Sequence, residues 1–288
     1  MSNIITKNAY AKINLGLDVV RRLPNGYHEV RMIMQNVGIC DVLTFSKCEE
    51  GITLQTDNEE IPTDGNNLIC KAAKLLLDTA GITGGVRITL EKHIPVAAGM
   101  AGGSTDAAAA FLGINELYEI GYDIEQLKEL GVKIGADVPY CIQGGTALAE
   151  GIGEKLTKLQ APPQCHLVIA KPDINVSTKF VYENLRANEL EKHPDIDGML
   201  QAIKDQDLSG ITKRLENVLE TVTVPAYPII AQIKEIMCEK GAENALMSGS
   251  GPTVFGMFTD EQKAKAAADK IKQLGLAKQV FVTGFVNV

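Results

Sequence analysis

The chain has 288 residues, which is enough for two modest domains or one large one. Its hydrophobic content of 45% and mean hydropathy near zero are typical of a globular protein, and no stretch approaches the roughly 18 apolar residues of a membrane span. The net charge of −8, without a run of basic residues, argues against a protein that holds nucleic acid through its phosphates. A small anionic ligand is still possible, because it needs only a local cationic pocket.

The six cysteines are scattered along the chain and include no C-x-x-C pair. Several lie in apolar runs, as buried free thiols do. This pattern disfavours a zinc site or a disulfide framework and favours a reducing compartment. The N-terminal residues contain no continuous apolar segment of the kind found in secretory signals, so we expect a cytoplasmic protein.

The first predicted element is a strand over residues 9–19, where the odd positions are apolar. Lys12 and Asn14 occupy even positions, so the two-residue period places them on the same face of the strand. A solvated polar face is the ordinary interpretation of a lysine in a strand, and a pair of site residues is the alternative.

The sequence Pro-Asn-Gly-Tyr at residues 24–27 predicts a turn after this strand, with His28 directly behind it. Apolar, β-branched runs and one helical stripe that ends at Gly81 then predict four further elements. These are strands over residues 30–37, 42–46 and 52–56 and a helix over residues 64–80.

A glycine-rich stretch at residues 95–106 lies between a predicted strand at 86–90 and a helix that begins near its end. Its glycines allow backbone N–H groups to approach a ligand, and a helix N-terminus attracts phosphate oxygens. Ser104 or Thr105 could cap the helix or reach a phosphate or Mg²⁺. The stretch is not a P-loop, because Gly103 stands where that motif has lysine. A plain glycine turn before a capped helix is the alternative interpretation.

The remaining pattern mixes helices and strands without regular alternation, which predicts an α+β protein. We expect two domains, residues 1–155 and 156–288. A second glycine loop, Ser-Gly-Ser-Gly-Pro, lies at residues 248–252. The other predicted elements are helices over residues 124–134, 177–191, 208–222, 229–240 and 260–274, and strands over residues 146–149, 166–170, 245–247, 253–258 and 279–285.

Six segments together resemble the GHMP kinase superfamily, which includes galactokinase and the homoserine, mevalonate and phosphomevalonate kinases. Each segment alone is weakly specific, but all six occur in order and span nearly the whole chain. The resemblance implies a two-domain fold, with an N-terminal domain like the second domain of the fifth small-subunit ribosomal protein and a ferredoxin-like C-terminal domain. The segments are Ala-Lys-Ile-Asn-Leu at 11–15, Gly-Tyr-His-Glu at 26–29, Asn-Leu-Ile at 67–69, the loop at 95–106, Gly-Ala-Asp-Val-Pro at 135–139 and Met-Ser-Gly-Ser-Gly-Pro-Thr at 247–253.

The resemblance implies that Lys12 and Asp137 face the acceptor hydroxyl. Phosphoryl transfer needs a group that accepts or orients the hydroxyl proton and a charge that stabilises the transferring phosphoryl. Asp137 would be the base, and Lys12 would keep it ionised and stabilise the phosphoryl charge. Judged from its neighbours alone, Asp137 would instead be a turn or cap aspartate close to a proline.

The resemblance also implies that ATP, with Mg²⁺, binds on the central glycine loop, and that Asn67 and Lys92 line the same site. The family loop usually reads G-L-G-G-G-S-S, so Ala101 replaces a glycine and fits only if its φ is negative. No metal ligand is assigned. The predicted loop residues are Pro95, Val96, Ala97, Ala98, Gly99, Met100, Ala101, Gly102, Gly103, Ser104 and Thr105.

Within the family, the motifs are most similar to kinases whose acceptor is a polyol linked to cytidine diphosphate. Tyr27 and His28 match the residues that recognise cytidine, because a tyrosine ring stacks on the base while the imidazole reads its edge. Without the family, Tyr27 is equally an ordinary hairpin aromatic. Tyr182, or else Phe180, would supply the second face of the stack. The other predicted acceptor residues are Asn14, Ser248, Gly249 and Ser250.

The sequence therefore predicts an ATP-dependent, Mg²⁺-requiring kinase of a small cytidine diphosphate-linked polyol, acting as a monomer or homodimer without nucleic-acid or membrane partners. A homoserine or mevalonate type of kinase is one alternative, although it has no use for a cytosine clamp at Tyr27 and His28. A non-catalytic ligand sensor is another, and the intact Lys12 and Asp137 count against it. An RNA-binding module is disfavoured by the acidic charge balance.

Overall fold

The structure is a computed structural model that describes residues 4–288. It divides into two compact units that interleave along the sequence. The first contains the described residues up to Ala11, together with Ile39–Val96 and Ala101–Gly144. The second contains Lys12–Gly38, Ala97–Met100 and Gly145–Val288. The linear boundary predicted between residues 155 and 156 stays a prediction.

The elements up to residue 144 are β1 (Ile4–Arg22), β2 (His28–Cys48), β3 (Ile52–Thr56), α1 (Leu68–Ala80), β4 (Gly85–Glu91), α2 (Gly102–Leu117), α3 (Ile124–Gly131) and α4 (Val138–Gln143). The first unit is built on a sheet with the strand order β3-β4-β2-β1. β3 runs parallel to β4, and β4 runs antiparallel to β2. β1 and β2 each continue into the second unit.

A single hydrophobic core holds this unit together, and α2 lies in its centre. Residues 107–110 are four consecutive alanines, all buried, and Phe111 is fully buried beside them. Burying an aromatic side chain of this size stabilises the fold by roughly 1.5–3 kcal/mol. The core therefore fixes α2, and with it the helix N-terminus where the glycine loop ends.

The second unit follows from Gly145 to the C-terminus. Its elements there are β5 (Thr146–Gly151), β6 (Lys155–Leu159), β7 (His166–Lys171), α5 (Thr178–Asn184), a 3₁₀ turn (Ala187–Glu189), α6 (Ile196–Lys204), α7 (Leu208–Lys213), β8 (Glu216–Asn217), α8 (Glu220–Ala226), α9 (Ile229–Glu239), β9 (Asn244–Met247), β10 (Val254–Phe258), α10 (Glu261–Gln273) and β11 (Gln279–Thr283). β5 pairs antiparallel with β2 and β6, and the short β8 pairs parallel with β1.

Four strands of this unit, β7, β9, β10 and β11, form a separate antiparallel sheet in the order β11-β7-β10-β9. With α9 before β9 and α10 before β11, they follow the β-α-β-β-α-β pattern of ferredoxin-like folds. Every residue of β10 is buried, as expected for a strand inside a sheet that helices cover. The predicted α+β fold with a ferredoxin-like C-terminal domain is confirmed.

Several predicted elements differ from the structure. The strands predicted over 30–37 and 42–46 are one strand, β2, and the helix predicted over 177–191 ends with α5 at Asn184. The helix α6 was not predicted. The helix predicted over 208–222 is wrong, because α7 and α8 are separated by β8, whose Asn217 pairs with Leu17 of β1. Tertiary hydrogen bonds here override a helical apolar pattern.

Across residues 4–288, none of the helices combines the length and the apolar character that crossing a bilayer requires.

Candidate active site

Lys12 and Asn14 form a buried pair on β1. The Lys12 ammonium donates a hydrogen bond to Asn14 Oδ1 at 2.8 Å, and Asn14 Nδ2 donates to the Met32 sulfur at 3.3 Å. Lys12 is 5% exposed and Asn14 is fully buried, so the solvated-face interpretation is wrong. The predicted placement of both side chains on one face is confirmed. A buried ammonium this close to an amide oxygen has a defined direction, as a charge-stabilising group requires.

The centre of the first glycine loop, Ala97–Met100, lies in the second unit next to Lys12. The Lys12 backbone N–H donates to the Met100 carbonyl at 3.2 Å, while the Met100 and Ala98 side chains are buried. Gly99 has φ +71°, and a Cβ there would lie 2.4 Å from the Ser248 carbonyl oxygen. Only glycine fits at this point of the loop.

Ala101 corrects one expectation about this loop. Its φ is +57°, in the left-handed region, whereas the sequence comparison required a negative φ for an alanine at this place. Ala97, at φ +51°, is also left-handed. Each of these backbones would suit glycine better, so the loop holds its shape at a conformational cost.

The loop ends at α2, whose N-cap is Ala101 without any side-chain cap. Of the two expectations for Ser104 and Thr105, capping of the helix is therefore wrong, and contact with a phosphate or Mg²⁺ stays a prediction. The Thr105 hydroxyl instead donates to the Tyr10 carbonyl of β1 at 2.9 Å. Gly102 and Gly103 form the first turn, which leaves its N–H groups without a capping side chain, and such groups bind anions.

Lys92 belongs to a buried charge cluster in the first unit, together with Asp41 and Asp106. Its ammonium donates to Asp106 Oδ2 at 2.9 Å and forms a close hydrogen bond with Asp41. Asp41 Oδ1 also accepts from the backbone N–H groups of His93 and Ile94. The ammonium is therefore occupied by two carboxylates, and the ATP contact predicted for Lys92 stays a prediction.

Asp106 is the unusual member of this Asp41–Lys92–Asp106 cluster. Its Oδ1 is buried and accepts no hydrogen bond from the described residues. Burial raises the pKa of Asp106 to about 8; the Lys92 ammonium opposes this rise, and the nearby Asp41 charge adds to it. One proton shared within the cluster would leave it neutral, which suits a group buried beneath a helix.

Asn67, predicted to line the ATP site, is the N-cap of α1. Its Oδ1 accepts from the Ile69 N–H at 2.8 Å and its Nδ2 donates to the Pro62 carbonyl at 2.7 Å. The side chain thus fixes the start of α1, and its predicted role toward ATP stays a prediction.

Asp137 stands at the start of α4 and is half-buried. Its carbonyl accepts from the Cys141 N–H at 3.1 Å, but its carboxylate does not cap the helix. Asp137 thus lies in a turn and is the N-cap residue of α4 by position, which agrees with the turn interpretation, although its side chain makes no capping hydrogen bond. Its role as a base stays a prediction. Pro139 near the start of α4 restricts the backbone close to this carboxylate.

The predicted cytidine residues lie around the turn between β1 and β2. The His28 ring packs against the Tyr182 ring of α5, with centroids 5.1 Å apart and planes tilted by 44°. Burial, and then the charge of Arg22, lower the pKa of His28. Tyr27 is 58% exposed, and Phe180 of α5 is 40% exposed. Exposed aromatic rings beside a neutral imidazole present surfaces on which a planar base can stack.

The second glycine loop contacts the first one within the second unit. The Ser248 hydroxyl donates to the Gly99 carbonyl at 3.0 Å. Asn217 Nδ2 donates to the Gly249 carbonyl at 2.8 Å, and the Ser250 hydroxyl lies 2.9 Å from the Thr178 hydroxyl. These three contacts define the loop's position relative to Gly99, and the acceptor contacts predicted for Ser248, Gly249 and Ser250 stay predictions.

Four polar residues of these networks were not assigned from the sequence. Asp41 could have been found, because a carboxylate within an apolar strand indicates a buried partner. Asp106 lies in the glycine-loop motif and Thr178 directly follows the Ser177 cap of α5, and neither position by itself indicates a partner. Asn217 carries no sequence signal, because its Nδ2 donates to the distant Met247 and Gly249 carbonyls.

The described residues contain no cluster of three or more His, Cys, Asp or Glu side chains suited to hold a metal ion. A cavity of about 490 Å³ lies in the first unit beside α1 and β3. Its lining includes none of the predicted site residues, although Asp64 and Gly65 lie three and two residues before the α1 cap Asn67.

Two sequence families match the chain in the expected order. The GHMP kinases N terminal domain matches residues 67–145, and the GHMP kinases C terminal domain matches residues 199–276. The first glycine loop, at residues 95–106, lies within the first match, and the second, at residues 248–252, lies within the second match. The chain belongs to the GHMP kinase family.

Particular relatives are similar over almost the entire chain. A protein from Lachnospira eligens named 4-diphosphocytidyl-2-C-methyl-D-erythritol kinase is 54% identical over 280 residues, which is 97% of each chain. The crystal structure of a 4-(cytidine 5'-diphospho)-2C-methyl-D-erythritol kinase superimposes with a TM-score of 0.84 at 32% identity, covering 99% of this chain and 100% of that one. The homoserine kinase of Cytophaga hutchinsonii, at 20% identity and a TM-score of 0.79 over 100% of this chain and 95% of that one, shares the fold.

Proposed function

We propose that the chain transfers the γ-phosphoryl group of ATP to the 2-hydroxyl of 4-diphosphocytidyl-2-C-methyl-D-erythritol. This is a step of the non-mevalonate (methylerythritol phosphate) route to isoprenoid precursors. The observation that carries the proposal is the 54% identity, over 97% of both chains, to the relative that bears this kinase's name. The cytoplasm as its compartment, and a monomer or homodimer as its assembly, stay predictions.

ATP is the donor, and its phosphates would lie on the first glycine loop and the first turn of α2. The uncapped N–H groups of that turn support this assignment, because they and the helix dipole attract anionic oxygens. Mg²⁺ would enter with the nucleotide as part of the substrate. It would be held largely by phosphate oxygens, as magnesium usually is in kinases.

Asp137 is proposed as the general base. It would accept the proton of the 2-hydroxyl as that oxygen attacks the γ-phosphorus and ADP leaves. Its half-buried position at the start of α4, where Pro139 restricts the backbone, supports this role. Lys12 is proposed to stabilise the negative charge of the transferring phosphoryl group, and its bond to Asn14 supports this role by directing the ammonium.

Tyr27, His28 and Tyr182 are proposed to hold the cytidine end of the acceptor. Because the pKa of His28 is lowered, its imidazole is neutral at pH 7 and offers one donor and one acceptor nitrogen. That pair matches the mixed donor and acceptor edge of cytosine. The tilted contact between His28 and Tyr182 supports a shared aromatic site.

An ADP-release assay tests this function. With Mg²⁺, ATP and the cytidine-linked acceptor, the wild-type chain should release ADP, whereas homoserine and mevalonate should give only background release. Asp137→Asn should lower kcat by about 10²–10⁴-fold, the range for a lost general base, while ATP affinity stays near that of the wild type. Turnover of homoserine or mevalonate would contradict the proposed acceptor. Normal turnover by Asp137→Asn would contradict the proposed base.

A further inference from the structure

A pair of hydroxyl groups joins helix α5 to the second glycine loop. Thr178 Oγ1 and Ser250 Oγ lie 2.9 Å apart, within hydrogen-bond distance. Thr178 is the first residue of α5, and the adjacent Ser177 caps this helix by accepting from the Phe180 N–H. Ser250 is 7% exposed, so its hydroxyl has little access to water and lies against the Thr178 hydroxyl instead.

The same face of α5 carries Tyr182, four residues after Thr178. Side chains at positions i and i+4 of a helix lie on one face, so the two residues share an edge of α5. Tyr182 contacts the His28 ring. A shift of α5 that follows base binding at Tyr182 and His28 would therefore move the Thr178 hydroxyl as well.

On the Ser250 side, further hydrogen bonds connect this contact to the first glycine loop, where the ATP phosphates are proposed to bind. Ser250 and Ser248 belong to one short loop, and the Ser248 hydroxyl donates to the Gly99 carbonyl at 3.0 Å. The Thr223 hydroxyl donates to the Ser250 carbonyl at 3.3 Å and holds the loop from the other side. Movement of Gly99 away from this loop would break the Ser248 bond, and the two loops fit closely here, because a Cβ on Gly99 would lie 2.4 Å from the Ser248 carbonyl oxygen.

From this chain of contacts we propose that Thr178 is a positioning residue, which couples occupancy of the cytidine site to the conformation of the ATP phosphate loop. The proposal rests on the proposed function, because it takes His28 and Tyr182 as the cytidine site. Acceptor binding would then increase the affinity for the nucleotide, and by thermodynamic linkage the nucleotide would increase the affinity for the acceptor equally. One net hydrogen bond limits the effect to about 3- to 10-fold.

The test measures the dissociation constant of a non-hydrolysable ATP analogue with and without saturating acceptor. The ratio of the two constants is the coupling factor. Thr178→Val removes the hydroxyl but keeps the β-branched shape, and it should lower the coupling factor about 3- to 10-fold, toward 1. Thr178→Ser restores a hydroxyl and should restore the coupling. Thr221→Val is the matched control, because Thr221 is an exposed residue of α8 whose hydroxyl donates to the nearby Val218 carbonyl, and it should behave as the wild type.

A variant of Ser250 tests the other hydroxyl of the pair. Ser250→Ala should lower the coupling factor like Thr178→Val, and the double variant should lose no more than either single variant, since all three remove the same bond. Thermal melting of each variant shows that it is folded.

Three results would overturn the proposal: a wild-type coupling factor of 1, an unchanged factor in Thr178→Val, or additive losses in the double variant. If the wild type neither binds the cytidine-linked acceptor nor releases ADP with it, the proposed function itself fails together with the inference. If the wild type is active and Thr178→Val only weakens acceptor binding, the proposed function stands and the coupling role of Thr178 is wrong.

Discussion

Two alanines of the first glycine loop have left-handed backbone conformations, although an L-residue prefers a negative φ. Ala97 and Ala101 have φ values of +51° and +57°, a region that costs an L-amino acid about 1–2 kcal/mol. The surrounding contacts, such as the bond from the Lys12 N–H to the Met100 carbonyl, hold the loop in this form. Such strain persists only where the rest of the fold determines the local shape.

Ala101→Gly should therefore raise the free energy of unfolding by about 1 kcal/mol, because glycine adopts this φ without a steric cost. Ala98 is the matched control: it lies in the same loop, has a buried side chain and lacks a positive φ. Ala98→Gly should lower the free energy of unfolding by about 1 kcal/mol. Chemical denaturation monitored by circular dichroism measures both. Equal destabilisation by the two substitutions would show that Ala101 carries no strain.

Residue spacing was a good predictor where the contact is local. The two-residue period of β1 was enough to place Lys12 beside Asn14, and the structure shows their hydrogen bond. The positive φ of Ala101 could not be predicted, because it depends on how the chain on both sides of the loop is anchored.

At the scale of secondary-structure elements, the Asp41–Lys92–Asp106 cluster links three elements of the first unit. Asp41 lies in β2, Lys92 directly follows β4, and Asp106 lies in α2. An unfolded aspartate loses its proton near pH 3.8, whereas in the folded protein Asp106 keeps it up to about pH 8. Between these values the folded state binds more protons than the unfolded state. The contribution of Asp106 to stability therefore falls as the pH rises through this window.

Asp106→Asn should remove this dependence, because asparagine resembles the protonated carboxyl group at every pH. Relative to the wild type, the variant should gain stability as the pH rises from 5 to 8, by at most on the order of 1 kcal/mol for each pH unit. Melting temperatures at several pH values measure the difference. Asp78→Asn, on the exposed face of α1, is the control and should leave the pH dependence unchanged. Parallel stability curves for Asp106→Asn and the wild type would contradict the raised pKa.

Hydrogen bonds between distant elements also explain why the helix predicted over 208–222 is wrong. Its apolar residues recur at helical spacing, but the chain turns at β8 so that Asn217 can donate to the Met247 and Gly249 carbonyls. Both carbonyls belong to residues about thirty positions later. Periodicity describes only which face is apolar, so it misses an element that distant hydrogen bonds interrupt.

For the molecule as a whole, the sequence was sufficient to predict the α+β fold, the ferredoxin-like C-terminal sheet and membership of the GHMP kinase family. The apolar periods identified most strands and helices, and six short motifs identified the family. The motifs did not reveal the contacts of Thr178, Asp41 or Asn217. Each of these bonds joins segments far apart in sequence, and neither partner has a spacing that indicates the other.

The central claim is that this chain phosphorylates the tertiary 2-hydroxyl of the cytidine-linked acceptor. The carbon that carries this hydroxyl also carries the methyl group and has no hydrogen. A phosphate attached there has no proton within three bonds, so its signal in a proton-coupled ³¹P spectrum should be a singlet.

The most direct measurement is therefore the proton-coupled ³¹P spectrum of the product formed by the wild-type chain with Mg²⁺ and ATP. We expect one new phosphomonoester singlet that appears in step with ADP. A split phosphomonoester signal would place the phosphate on a primary or secondary hydroxyl, and ADP release without any new phosphomonoester would indicate hydrolysis of ATP. Either result would contradict the proposed reaction.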